Sequence, residues 1–159
     1  MSRAAIVGER LKAQNGAVAV AESSSGGLIS AALLSVPGAS AYYLGSGVIY
    51  TARARMKLLN ITREDVAGMR SASEPYALLL ARTVRERFAA TWGLSETGAA
   101  GPTGNPYGDA AGHTCIAVSG PVEMAITLET ARDDRAGNMM AFAAKALDLM
   151  LSVTADEVS

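Results

Sequence analysis

The sequence predicts an α/β fold, a three-layer-like sandwich in which a mixed β-sheet is flanked by helices. Three observations carry that prediction. Short apolar runs alternate with stretches of helical spacing over the first part of the chain, as in strands joined by crossover helices. Two strand-like runs follow each other late, separated by Gly120-Pro121, as in an antiparallel hairpin. The 159 residues, 50% hydrophobic and 18% charged, suffice for one well-filled domain that needs neither disulfides nor structural metal.

Residues 2–14 place Ile6, Val7, Arg10, Leu11 and Gln14 at helical spacing and stop at Asn15-Gly16, a usual helix exit. Ala17 to Ala21 reads as a short strand. It ends in Glu22-Ser23-Ser24-Ser25-Gly26-Gly27, after which Leu28 to Leu34 resumes helical character. Val36-Pro37-Gly38 breaks that helix, and residues 42–50 form a second strand whose glycines predict a bulge or a close backbone approach. A third helix follows over Thr51 to Leu59.

Ser73 stands where an N-cap belongs, Pro75 lies in the first turn, and Leu79, Leu80, Val84 and Phe88 recur at three- and four-residue steps, which predicts a long helix reaching Ala90. Beyond it come a short segment at Gly93 to Thr97, a Gly/Pro-rich loop at Gly98 to Gly112, and the hairpin runs His113 to Ser119 and Val122 to Thr130. Asp133-Asp134 opens a closing helix that ends near Ser152, leaving an acidic tail from about residue 153.

Composition removes whole classes of function. Fourteen Lys+Arg against fifteen Asp+Glu, with no basic run, lack the electrostatic footprint of a nucleic-acid binder. No apolar stretch reaches the roughly 18–20 residues of a membrane span, and charge interrupts the first ten residues before a signal-peptide core forms, so the expectation is a cytoplasmic protein without membrane contact. Cys115 and His113 are each the sole residue of their kind, which excludes zinc clusters and CxxC redox pairs. No metal or cofactor is expected. Alanine-rich helices with only eight aromatics in the chain suggest a homo-oligomer that packs helices closely.

Two segments gather small residues where a strand hands over to a helix, the place where α/β sheets bind ligands. In Glu22-Ser23-Ser24-Ser25-Gly26-Gly27, hydroxyls and glycine amides can receive a phosphate or an oxyanion, and a serine can act as nucleophile. The same turn equally serves as a plain helix cap. In Thr97-Gly98-Ala99-Ala100-Gly101-Pro102-Thr103-Gly104 the glycines fall at every third position, matching neither a dinucleotide fingerprint nor a Walker loop.

Taken together, Ala-Glu-Ser-x-x-Gly-Gly, Pro-Gly-Ala-Ser, a Tyr-rich strand ending at Tyr50, Ser-Ala-Ser-Glu and Thr-Gly-x-Ala-Gly-Pro resemble the C-terminal domain of the competence/damage-inducible CinA family from about residue 4 to residue 152. The resemblance implies a deamidase of nicotinamide mononucleotide, a serine amidohydrolase releasing ammonia and nicotinic acid mononucleotide. It places the nucleophile on Ser23, the family's Cys and Thr on Ser24 and Ser25, and ligand contacts on Gly26, Gly27, Tyr50, Thr97, Gly98, Gly101 and Arg135, the last toward a phosphate. The family's lysine base falls on Arg55, within Tyr50-Thr51-Ala52-Arg53-Ala54-Arg55. A guanidinium stays charged throughout the physiological range and cannot take the serine proton. Lys57, two residues along a helix, points to nearly the opposite face, and His113 follows the glycine-rich loop where the family has threonine. A second family arginine is replaced by Asn138. The alternative is a catalytically impaired member that binds a nucleotide.

Overall fold

The computed structural model describes residues 1–155, so the acidic Asp156 and Glu157 of the expected tail lie outside the described residues. Its centre is a five-stranded sheet: β1 (Val18–Glu22), β2 (Tyr43–Val48), β3 (Trp92–Ala99), β4 (His113–Ser119) and β5 (Met124–Glu129), ordered β2-β1-β3-β4-β5. β1 runs parallel to β2 and β3, whereas β3, β4 and β5 pair antiparallel, which makes the sheet mixed. Among the described residues five α-helices cover it: α1 (Arg3–Ala13), α2 (Leu28–Leu34), α3 (Ala52–Leu59), α4 (Glu74–Phe88) and α5 (Arg135–Val153).

The period-two alternation of strand side chains sorts the layers. Val18, Val20, Leu94, Ile116 and Val118 face a core shared with Val7 and Leu11 of α1, Ile29 and Leu33 of α2, and Leu147 and Met150 of α5. On the other face stand Ala19, Ala21, Gly93, Ser95, Cys115 and Ala117, all small, and α4 lies close against them. A Cβ at Gly93 would sit 2.0 Å from the Ala81 carbonyl oxygen. The Ser95 hydroxyl donates to the Ala77 carbonyl of the same helix at 2.5 Å.

Most elements lie where the sequence places them, including Ser73 as the α4 cap, which accepts from the Tyr76 amide. Two differ. The second strand stops at Val48, leaving Tyr50 outside it. The short segment expected at Gly93 to Thr97 is the eight-residue strand β3, which lies between β1 and β4 and carries a buried polar run, Ser95-Glu96-Thr97.

The strand order positions the site. From β1 the chain leaves toward β2 through α2 on one face, then returns past β1 to β3 through α4 on the other face. The carboxyl ends of β1 and β3 therefore flank a topological switch point, where the diverging connections leave a crevice.

Candidate functional site

A cavity of about 250 Å³ fills that crevice. Ser24 from the turn after β1, Tyr50 from the segment after β2, Gly98 to Gly101 from the end of β3 and Arg135 from the start of α5 line it. Four elements distant in sequence thus meet around one space.

Two buried carboxylates build the serine turn. Glu22, wholly buried, accepts at Oε1 from the Ser25 hydroxyl (2.8 Å) and the Gly27 and Ile29 amides (3.1 and 3.0 Å). Its Oε2 accepts from the Ser30 amide (2.9 Å) and the Ser30 hydroxyl (2.6 Å). Glu96 of β3, also wholly buried, accepts at Oε2 from the Ser23 and Ser25 amides (3.1 and 2.8 Å) and at Oε1 from the Ser24 and Thr114 hydroxyls (2.5 and 2.8 Å). Gly26 and Gly27 take positive φ values of 64° and 97°, which is why two glycines end the turn.

These contacts narrow the expectation that the turn's amides are free to hold an oxyanion or phosphate to the Ser24 amide, which alone among the amides of residues 23–27 has no hydrogen-bond partner. Glu96 occupies those of Ser23 and Ser25, Glu22 that of Gly27, and the Gly26 amide donates to the Ser23 carbonyl. The protein supplies its own anions to the start of α2.

The glycine-rich loop is tied down from three sides. Arg135 donates through Nη1 to the Gly101 carbonyl (2.5 Å) and through Nη2 to the Tyr50 hydroxyl (3.1 Å). Asn138, almost wholly buried, donates to the Ala100 and Arg132 carbonyls at 2.8 Å. Arg70 grips Asp109 with both terminal nitrogens, and that hydrogen bond holds the Asp109 carboxyl below the usual carboxylate range.

His113 has both ring nitrogens against acceptors, Nδ1 at the Glu129 carboxylate and Nε2 at the Ala72 carbonyl (2.7 Å), with Asp109 Oδ2 at 3.5 Å. Only the imidazolium donates at both nitrogens. Burial pulls its pKa down, but the hydrogen bonds to Glu129 and Ala72 and the charges of Asp109 and Glu129 outweigh it and hold the group above its ordinary value. A raised folded pKa contributes stability that is complete below about 6.5 and lost as pH rises through the raised value. The melting-temperature advantage of the wild type over His113→Gln should therefore shrink as pH rises from about 6.5 through the raised value. An advantage constant across that range would refute the linkage.

The structure divides the expected site residues. Ser24, Tyr50, Gly98, Gly101 and Arg135 line the cavity. Ser23 does not line it but precedes Ser24, which does; Ser23 is 9% exposed, and its hydroxyl has no hydrogen-bond partner among the described residues. Ser25 is turned to Glu22, and Gly26 and Gly27 lie off the cavity wall. Thr97 instead accepts from the Ala72 amide (3.2 Å), holding the segment that enters α4. Arg55 lines a separate hollow of about 520 Å³ with Ile61 and Thr62, its guanidinium carbon 6.0 Å from the Tyr76 ring centre and its Nε buried without a partner. Sequence reasoning missed Glu96, Thr114 and the loop-clamping role of Asn138. Only the polar character of two buried strands signalled the first two.

Comparison with known proteins agrees with this fold. The family model of the CinA C-terminal domain matches residues 1–154. A CinA-like protein of Salinibacter ruber is 35% identical over 144 residues, 91% of this chain and 35% of the relative. One from Sulfurihydrogenibium is 41% identical over 99 residues, 62% of this chain and 25% of the relative. The chain thus spans about a third or less of the length of these curated relatives. Among solved structures, a competence-damaged protein (CinA) superfamily member from Escherichia coli superposes with a TM-score of 0.89 at 24% identity, covering 95% of this chain and 88% of the other. A competence/damage inducible protein from Agrobacterium tumefaciens gives 0.85 at 24% identity, with 98% of each chain covered.

Proposed function

The chain belongs to the CinA C-terminal domain family, and on that premise we propose that it hydrolyses the carboxamide of nicotinamide mononucleotide, releasing ammonia and nicotinic acid mononucleotide, with Ser23 as nucleophile. The carrying observation is the cavity at the switch point, which has a serine turn on one side and the cation Arg135 on another. A mononucleotide offers a matching pair of groups, an aromatic carboxamide and a phosphate. Two donors of the Arg135 fork are engaged by Gly101 and Tyr50, and the other three are available to phosphate oxygens. A cytoplasmic, homo-oligomeric enzyme of pyridine-nucleotide salvage belongs to the same reading. Among the described residues no helix is long and apolar enough to cross a membrane.

A second reading, a nucleotide-binding module without turnover, is favoured by Arg55, which keeps its charge and does not line the cavity. Incubation with nicotinamide mononucleotide separates the two. Ammonia with nicotinic acid mononucleotide supports the enzyme, and binding without ammonia supports the module.

Arg135→Ala is expected to weaken binding of nicotinamide mononucleotide by about 1.5–3 kcal/mol, roughly ten- to 150-fold. Binding of the riboside, which lacks the phosphate, should change far less. Calorimetry giving equal nucleotide affinity in both proteins removes Arg135 from the phosphate.

A further inference from the structure

Glu96 touches its four donors in an unequal way. The two at Oε2 are backbone amides, which donate only, while the two at Oε1 are hydroxyls, which donate or accept. As a carboxylate, Glu96 accepts only, so the Ser24 hydroxyl spends its one proton on Oε1 at 2.5 Å. What the Ser24 hydroxyl can then present to the cavity that Ser24 lines is its lone pairs.

We propose that Glu96 is a positioning residue that makes the Ser24 hydroxyl a pure hydrogen-bond acceptor, and that this pair selects a carboxamide over a carboxylate in the cavity. The inference rests on the proposed function and deepens it. A carboxamide NH2 carries two donors and meets Ser24 with a hydrogen bond. A carboxylate carries none, meets lone pair with lone pair, and lies near a buried like charge. The substrate is thereby held and the acid product expelled.

The geometry provides a variant that removes the charge and keeps the fold. In Glu96→Gln the side-chain oxygen can face the two amides and the NH2 the two hydroxyls, which reverse and accept, so that four hydrogen bonds remain. Ser24 then has its proton free for the cavity.

Calorimetry would be run in a Ser23→Ala background, to suppress turnover, with nicotinamide mononucleotide and nicotinic acid mononucleotide as probes. The background protein is expected to prefer the amide by on the order of tenfold, and Glu96→Gln to swing the ratio toward the acid by about tenfold or more. Ser24→Ala, which leaves Glu96 in place, should bring the ratio toward unity. If Glu96→Gln fails to fold, that second variant decides the matter. A purely structural Glu96 would shift both affinities together.

Binding of both nucleotides with an unchanged ratio in the variants overturns the inference and leaves the proposed function standing. Failure of the background protein to bind either nucleotide overturns both.

Discussion

Glu22→Ala is expected to destabilise the protein by about 4 kcal/mol, a large share of the roughly 5–15 kcal/mol available to a domain of this size. The carboxylate is wholly buried and accepts five hydrogen bonds. Two come from hydroxyls, which can rotate toward other acceptors. Three come from the amides of Gly27, Ile29 and Ser30, which are fixed by the start of α2. An unsatisfied buried donor costs on the order of 1–3 kcal/mol, and the alanine adds a void beneath the turn. Glu22→Gln should cost less but is not neutral. Its oxygen can serve the Oε1 donors, but its NH2 then faces the Ser30 amide, donor against donor. Urea denaturation measures both. A loss below about 1 kcal/mol for the alanine variant would mean that water or a rearranged turn replaces the carboxylate.

The contrast between the two glutamates explains what the sequence disclosed and what it did not. Glu22 stands beside the turn it holds, inside a motif that catches the eye. Its alignment against Ser25 and Ser30 follows from the start of one short helix. Glu96 lies 73 residues from Ser23 and reaches it only because β1 and β3 are neighbours. Parallel pairing of this kind leaves no local signature. The same fact hid β3 as a full strand. Buried strands are expected to read as apolar runs, and Ser95-Glu96-Thr97 breaks that pattern. Each of the three is satisfied, by the Ala77 carbonyl, the serine turn and the Ala72 amide respectively. Helices with caps and periodic apolar faces were legible because their signals lie within a few residues. The division of the expected site residues between the cavity wall and the hollow under α3 was not legible, since it depends on where each side chain points across the switch point.

Arg55→Lys tests whether position 55 reaches the nucleophile from the hollow it lines. An introduced amine that contacts the Ser23 hydroxyl is expected to raise ammonia release from nicotinamide mononucleotide by a factor of about 10²–10⁴, the usual worth of a positioned base, and one that stays in the hollow to leave it unchanged. A guanidinium does not give up its proton near neutral pH, whereas an amine placed against apolar groups does. The surroundings pull such an amine two ways, the carboxylate of Asp65, which feels the charge at position 55, favouring the ammonium and the apolar neighbours the neutral form. Tyr76 and Ile61 beside Arg55 belong to one buried apolar cluster with Leu59 and Leu80. The Nε of Arg55 is buried there without a partner, a polar group that the substitution replaces with a methylene. Removing it relieves an unsatisfied donor, so the variant should be no less stable than the wild type. Any gain should rise with pH through the titration of the introduced amine, and Ser23→Ala in the same background should abolish it. A wild type that already turns over at about 1–10³ per second would place the base elsewhere, and His113→Gln and Lys57→Ala are then the next substitutions to measure. Nucleotide binding by both proteins with ammonia from neither would leave the nucleotide-binding module as the surviving reading.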